Sequence, residues 1–251
     1  MPAIPIKYKD TLKEMPEGYK AAITNPPYLN KSVASRKNYD YPETEYNDVY
    51  KYAIDEMLKK VEYLAAIIPE SFIKTNLFKD RLDSFTSINF KMFSDTEIPV
   101  CLALFGPNKT DDFKIYKGEE YLGTYKELCK ERFNTTTNIE WKFNDKAGEI
   151  GISCLDLKSK NNIYFCLGSE IGEDIKSSSR SYTRVSGLPN DIDINCFIEK
   201  CNKILNEYRL RTDDIFLTAF RGLTNEGSIR RRLQFSIARD IMNTAIDYLK
   251  Y

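Results

Sequence analysis

Residues 23–30 read ITNPPYLN, and the paired prolines Pro26 and Pro27 are the strongest constraint in the chain. Proline fixes φ and lacks an N–H, so two in succession neither continue a central strand nor enter a helix interior. The apolar run before them, Ala21 to Thr24, therefore reads as a short buried strand that ends at a rigid corner. Asn25 stands on one side of that corner and Tyr28 on the other.

From this corner onward the pattern alternates. Residues 29–47 are polar and read as a mobile loop. From Asp48, a candidate N-cap, Val49, Tyr52, Ala53 and Met57 recur on one helical face. YLAAIIP (63–69) is a continuous apolar run closed by proline, which suits a strand covered on both faces of a parallel sheet. Residues 70–85 carry Phe72, Ile73, Leu77 and Leu82 as an apolar stripe and read as an amphipathic helix. INFKMF (88–93) and IPVCLALF (98–105) read as two further strands, the second central. This order is that of the second half of a doubly wound α/β sheet. After 106–112 the character changes to short mixed segments, with helical patterning again at 194–210 and 235–251. The expected division is 1–110 and 111–251.

The chain has 251 residues and no histidine, which removes imidazole-based triads and most zinc sites, so no metal centre is expected. Its 37 basic and 37 acidic residues cancel, and any attraction to a polyanion must come from local patches. Six scattered cysteines without a CxxC pair point to reduced thiols and a cytoplasmic location. No apolar stretch approaches the ~20 residues of a membrane span.

The corner has a chemical use. The exocyclic amine of adenine is a poor nucleophile, because its lone pair is delocalised into the ring. Two acceptors aimed at its N–H bonds favour a tetrahedral, nucleophilic nitrogen. The Asn25 side-chain oxygen and the Pro26 carbonyl are candidates, held by Pro27 so that little reorganisation remains. Tyr28 offers a ring on which an extruded base can stack.

NPPY (25–28) preceded by AAIT resembles the catalytic motif of amino-group methyltransferases, in particular the DNA N6-adenine methyltransferases. AAIIPESFI and DTEIPVCLALF look like the successive motifs of their catalytic half, over roughly residues 15–106. The resemblance implies a partial doubly wound, Rossmann-like class I methyltransferase sheet in 1–110 and a mixed α+β target-recognition region in 111–251. It implies methyl transfer from S-adenosylmethionine to N6 of a flipped adenine in double-stranded DNA, in a restriction-modification setting. The family's cofactor turn, Gly-x-Gly, is missing, since no two of the eleven glycines are separated by a single residue. Of the residues named, Asn25 stands nearest to a cofactor. Motif order then implies a C-terminal part of such an enzyme, either the downstream half of a split gene whose separate partner chain supplies the cofactor-binding strands or a truncated frame without them, with strand 21–24 left as an exposed edge. Two alternatives stay open: a DNA-recognition module without cofactor, and a methyltransferase for RNA adenine or protein glutamine.

Further candidates carry less information. Lys31 and Arg36, with Lys37, Tyr39, Tyr41 and Tyr46, suit a strand-gripping flap. Glu70 and Ser71 either shape a base pocket or open a helix. Asp95, Thr96, Glu97 and Ile98 precede the last strand, where the family contacts the base. Arg180 and Arg184, in IKSSSRSYTR (175–184), suit phosphate contacts, and Arg230, Arg231 and Arg232 suit phosphate or guanine. Cys196 and Cys201 read as helix packing.

Overall fold

The computed structural model describes residues 10–94, 96–158, 162–172 and 180–250. Asp95, the N-terminal segment 1–9 and the hydroxyl run at 177–179 lie outside the described residues. The chain divides into two compact units, 1–87 with 100–116, and 88–99 with 117–251.

The first unit contains β1 (Ala21–Thr24), α1 (Lys31–Lys37), α2 (Val49–Leu58), β2 (Tyr63–Pro69), β3 (Leu82–Ser87), β4 (Val100–Phe105) and β5 (Lys114–Lys117). With β6 (Glu120–Thr124) these strands make a mixed six-stranded sheet of order β1-β2-β4-β3-β5-β6. β1 and β2 are parallel, with Thr24 opposite Ala66, whereas β4 runs antiparallel to both β2 and β3. The expectation of parallel strands is thus corrected beyond β2. Burial along β2 alternates, with Leu64, Ala66 and Ile68 buried and Ala65 and Ile67 only partly so, and a continuous apolar run carries no information on direction.

The expected helix over 70–85 is replaced by a 3-10 turn at Glu70–Lys74, a second at Lys79–Arg81, and β3. A register shift between Leu82 and Ser84 puts Leu82 and Phe85, three residues apart, among the buried side chains. That bulge imitates the i, i+3 spacing of a helix. INFKMF, in turn, forms no strand. The polar stretch 29–47, expected as a loop, contains α1, whose first turn is capped by Asn30 accepting from the Ser32 N–H at 3.0 Å.

The core of this unit is built on Ile54, Leu64, Ile68, Phe72, Leu82, Phe85, Phe105 and Ile115, with Phe72 and Phe105 edge to face at 6.1 Å. Each such side chain contributes about 1.5–3 kcal/mol on burial. Arg81 ties the layers together, donating to the carbonyls of Leu58 (2.8 Å), Glu62 (2.7 Å) and Gly106 (2.7 Å). It thereby satisfies acceptors left at the end of α2.

In the second unit α3 (Tyr125–Lys130) opens with a capping box between Thr124 and Glu127. Then follow β7 (Lys142–Phe143), β8 (Ile150–Ser153), β9 (Tyr164–Leu167), β10 (Tyr182–Ser186), α4 (Ile194–Thr212), β11 (Thr218–Leu223), β12 (Ile229–Arg232) and α5 (Phe235–Lys250). The strands form a four-stranded sheet of order β7-β10-β8-β9, antiparallel throughout, and the two-stranded β11–β12 ribbon. Trp141 stacks on Phe197 at 5.8 Å and donates its indole N–H to Asn243 at 2.7 Å, which fixes α4 and α5. Arg209 is buried and bonds Asp156 (2.7 Å) and Asp214 (2.8 Å). All six cysteines are free, with Cys201 buried on α4 and Cys196 exposed. Among the described residues no helix is long and apolar enough to cross a membrane.

Candidate functional site

β1 ends at Thr24, and the chain turns at once through Asn25, Pro26, Pro27 and Tyr28. Pro26 is buried, while Asn25 and Pro27 are exposed. The corner therefore has one proline anchored in the sheet and an amide side chain presented outward. Beyond it, Asn30 donates to Asp48 Oδ1 at 3.0 Å, and Asp48 binds Lys51 at 2.7 Å. Two backbone bonds, Lys31 N–H to Asn47 O (2.8 Å) and Val49 N–H to Leu29 O (3.0 Å), close the loop. Asp48 stands at the N-cap position of α2 without capping it through its side chain, because that carboxylate is engaged with Asn30 and Lys51. The exit of the corner is thus pinned to the start of α2.

The Tyr28 hydroxyl donates to Asn25 Oδ1 at 2.6 Å and to the Ile67 carbonyl at 2.9 Å. The sequence reading made this ring a stacking surface. In the fold it is half-buried, and its hydroxyl bridges Asn25 to the carboxyl end of β2. Burial, with the nearby Cys101 adding to it, pushes the phenol up to about 12. Just past the end of β2, three residues beyond Ile67, Glu70 is 1 % exposed at the start of its 3-10 turn, and Ser71 is exposed. Cys101, on β4, is held well above the usual thiol range by burial and then by Glu70. Asn25, Tyr28, the Ile67 carbonyl, Glu70 and Cys101 gather at the ends of β1 and β2 and the start of β4. Cys101 joins them because Ile68 lies opposite it in the register, a relation that spacing along the chain does not reveal.

S-adenosylmethionine, which the sequence resemblance implies, requires backbone to approach closely beside this corner. The residues present do not fit such a cradle. Gly18 precedes β1 with open space around it, and Gly106 packs on the Asp83 side chain. Along β1, Ile23 is 90 % exposed, and β2 is the one strand paired with β1 among the described residues.

The other sequence candidates separate. Lys31 and Arg36 are exposed on α1, where the Arg36 Nε–H bonds the Ser32 carbonyl at 3.2 Å. Tyr41 is tied to the Tyr46 carbonyl at 2.9 Å. Thr96 and Ile98 lie in the second unit, where with Phe90, Met92, Gly222 and Leu223 they line a cavity of about 240 Å³. Arg184 donates to the Gly148 carbonyl at 3.0 Å, and Arg180 is exposed. Of the arginine triplet on β12, Arg230 donates to the Asp156 carbonyl at 2.8 Å and lies over Phe220. Arg231 is 4 % exposed, and Arg232 is half-buried, its guanidinium lowered by burial and by Arg180. Alternation along a strand sends neighbours to opposite faces, so three consecutive arginines do not make one patch.

No family model and no curated protein matches the sequence. Among solved structures, the chain is similar to a modification subunit of a putative type I restriction enzyme from Vibrio vulnificus YJ016. The identity is 19 % and the TM-score 0.32, over 44 % of this chain and 29 % of that one. It is also similar to the M protein of the type I restriction enzyme EcoKI, at 14 % identity and TM-score 0.33, over 43 % and 28 %. A third is a type I restriction-modification methyltransferase subunit from Streptococcus thermophilus, at 16 % and 0.32, over 51 % and 31 %. The chain thus spans less than a third of the length of each of these solved chains, and each likeness covers only part of the fold.

Proposed function

We propose that this chain carries the amine-orienting half of an N6-adenine DNA methyltransferase. The observation that supports the reading is the corner at the carboxyl end of β1, where Asn25 is presented outward on a buried Pro26. Carboxyl ends of strands are where open α/β sheets bind ligands. Asn25 Oδ1 and the Pro26 carbonyl accept the two N–H bonds of the flipped adenine. The amine N–H takes the place of the Tyr28 hydroxyl at Asn25, and the Tyr28 ring then lies against the base. Pro26 and Pro27 hold the acceptors in place before substrate arrives, so the enzyme does not reorganise at the moment of reaction.

S-adenosylmethionine is the methyl donor of this reading, and its cradle comes from strands that pair with the open side of β1 in the assembled enzyme. The second unit recognises double-stranded DNA, with Arg180 and Arg232 as phosphate contacts, and Lys31 and Arg36 of the first unit are further phosphate contacts. Incorporation of labelled methyl groups into plasmid DNA by the assembled enzyme tests the proposal. Transfer to adenine N6 that disappears with Asn25→Ala supports it. Transfer that survives the substitution, or none to DNA at all, overturns it.

A further inference from the structure

The second unit carries a polar cleft of about 410 Å³ between the segment after α3 and the helices α4 and α5. Lys130, Arg132, Lys200, Lys203 and Arg211 line it, against two acids, Glu131 and Glu207. A chain whose charges cancel overall therefore concentrates a local excess of three positive charges here.

The walls are built. Asp247 on α5 accepts from the Thr135 hydroxyl at 2.6 Å and from the Thr136 N–H at 3.3 Å, which clamps the segment after α3 onto that helix. Phe133 packs on Tyr208 of α4 with ring centroids 4.7 Å apart. Arg132 lies over Phe216 at 4.6 Å, and Lys200 lies over Tyr248 at 4.9 Å, a ring that is 63 % exposed. Among the described residues, Arg211 is the one cation in the group with acidic neighbours within 4.0 Å, namely Glu131 at 3.3 Å and Glu207 at 4.0 Å. Lys130 and Lys203 are exposed, and among the described residues neither has a carboxylate oxygen within 4.0 Å, although Glu127 and Glu207 lie one helical turn from them.

On α4 the positions 200, 203, 207 and 211 fall along one stripe of the helix. At 1.5 Å per residue the row from Lys200 to Arg211 is roughly 16 Å long. One phosphate group does not span it. Along one strand of a duplex, successive phosphates are about twice the 3.4 Å axial rise apart, so roughly two or three of them pass over that length. We propose that this cleft is a tracking site for the sugar-phosphate backbone of duplex DNA, with Lys130, Lys200 and Lys203 as its principal contacts. It is sequence-independent, it holds DNA against the second unit, and it rests on the DNA-directed reading above.

The test is DNA affinity rather than methylation, so it is separable from the role of Asn25. Binding of the full chain to a labelled mixed-sequence 20-base-pair duplex is measured by fluorescence anisotropy between 50 and 200 mM salt. Each phosphate contact contributes about −0.9 to the slope of log K against log salt. The double variant Lys200→Gln/Lys203→Gln is expected to weaken binding roughly tenfold or more and to flatten the slope by about two. Glu207→Gln is expected to tighten binding. The control Lys13→Gln/Lys109→Gln removes the same charge from side chains that are 85 % and 84 % exposed elsewhere, and leaves affinity nearly unchanged. Equal losses in both double variants, or no loss in the first, overturn the site. Inorganic phosphate saturating at low millimolar concentration without displacing DNA marks a free-phosphate pocket instead, and also overturns it. Thermal melts of each variant exclude unfolding as the cause.

Discussion

The Tyr28 hydroxyl lies 2.6 Å from Asn25 Oδ1, and its single hydrogen is shared with the Ile67 carbonyl at 2.9 Å. The oxygen that the proposed mechanism offers to an amine is therefore occupied by an intramolecular donor. A neutral phenol is needed for this, and burial, with Cys101 adding to it, pushes Tyr28 up to about 12. The raised value means that the protonated form is the one favoured in the fold. That preference holds fully below pH 10 and is lost as pH rises through about 12.

Tyr28→Phe removes the donor and keeps the ring. A single hydrogen bond is worth about 0.5–1.5 kcal/mol, so methyl transfer by the assembled enzyme is expected to stay within about tenfold of wild type. Tyr28→Ala loses the stacking face, worth about 1–3 kcal/mol, and transfer is expected to fall roughly 5- to 150-fold. Steady-state rates of the two variants check this. Equal rates would remove the ring from the mechanism. Absorbance titration adds a second check: Tyr28 should remain un-ionised at pH 10.

Among the described residues β1 is an edge strand, with Ile23 90 % exposed. Unpaired backbone beside an exposed apolar side chain is a template for association. The isolated chain is expected to self-associate at tens of micromolar, measured by size-exclusion chromatography with light scattering. Ile23→Lys, a residue typical of protected edges, is expected to shift the population to monomer. A wild-type monomer at every concentration contradicts the open-edge account.

Arg209 is buried between Asp156 and Asp214, whose side chains are 0 % and 4 % exposed. Removing it leaves two carboxylates without their cation. Arg209→Met is expected to destabilise the chain by about 3–5 kcal/mol in urea unfolding. Arg211→Gln, on an exposed side chain, is expected to cost less than about 1 kcal/mol. Comparable losses for both would show that the buried triad does not hold the second unit together.

How far the fold is readable in the sequence depends on whether local pattern and tertiary pairing agree. Ala21–Thr24, Val49–Leu58, Tyr63–Pro69, Val100–Phe105, α4 and α5 lie within a few residues of their expected places. Proline at 26 and 69, and apolar recurrence on 49, 53 and 57, fix them locally. The stripe Phe72, Ile73, Leu77 and Leu82 was misleading, because two 3-10 turns and the start of β3 break it up. Strand direction was equally hidden, since an apolar run from Leu64 to Ile68 is the same whichever way its neighbour runs, and β4 pairs with it antiparallel. At the site, Asn25 to Tyr28 was legible as a unit. The approach of Cys101 was not, because it depends on Ile68 facing a strand more than thirty residues away. The cleft on α4 was missed for a similar reason. Lys200 and Lys203 are unremarkable in sequence and gain meaning only when residues 130–134 fold against them.

The central claim is that Asn25 orients the amine that accepts the methyl group. Its most direct test is single-turnover methyl transfer by the assembled enzyme carrying Asn25→Ala, with duplex affinity measured in parallel. Loss of transfer by at least about a hundredfold, with DNA affinity within about twofold of wild type, is the predicted result. Transfer at a near wild-type rate would contradict the account.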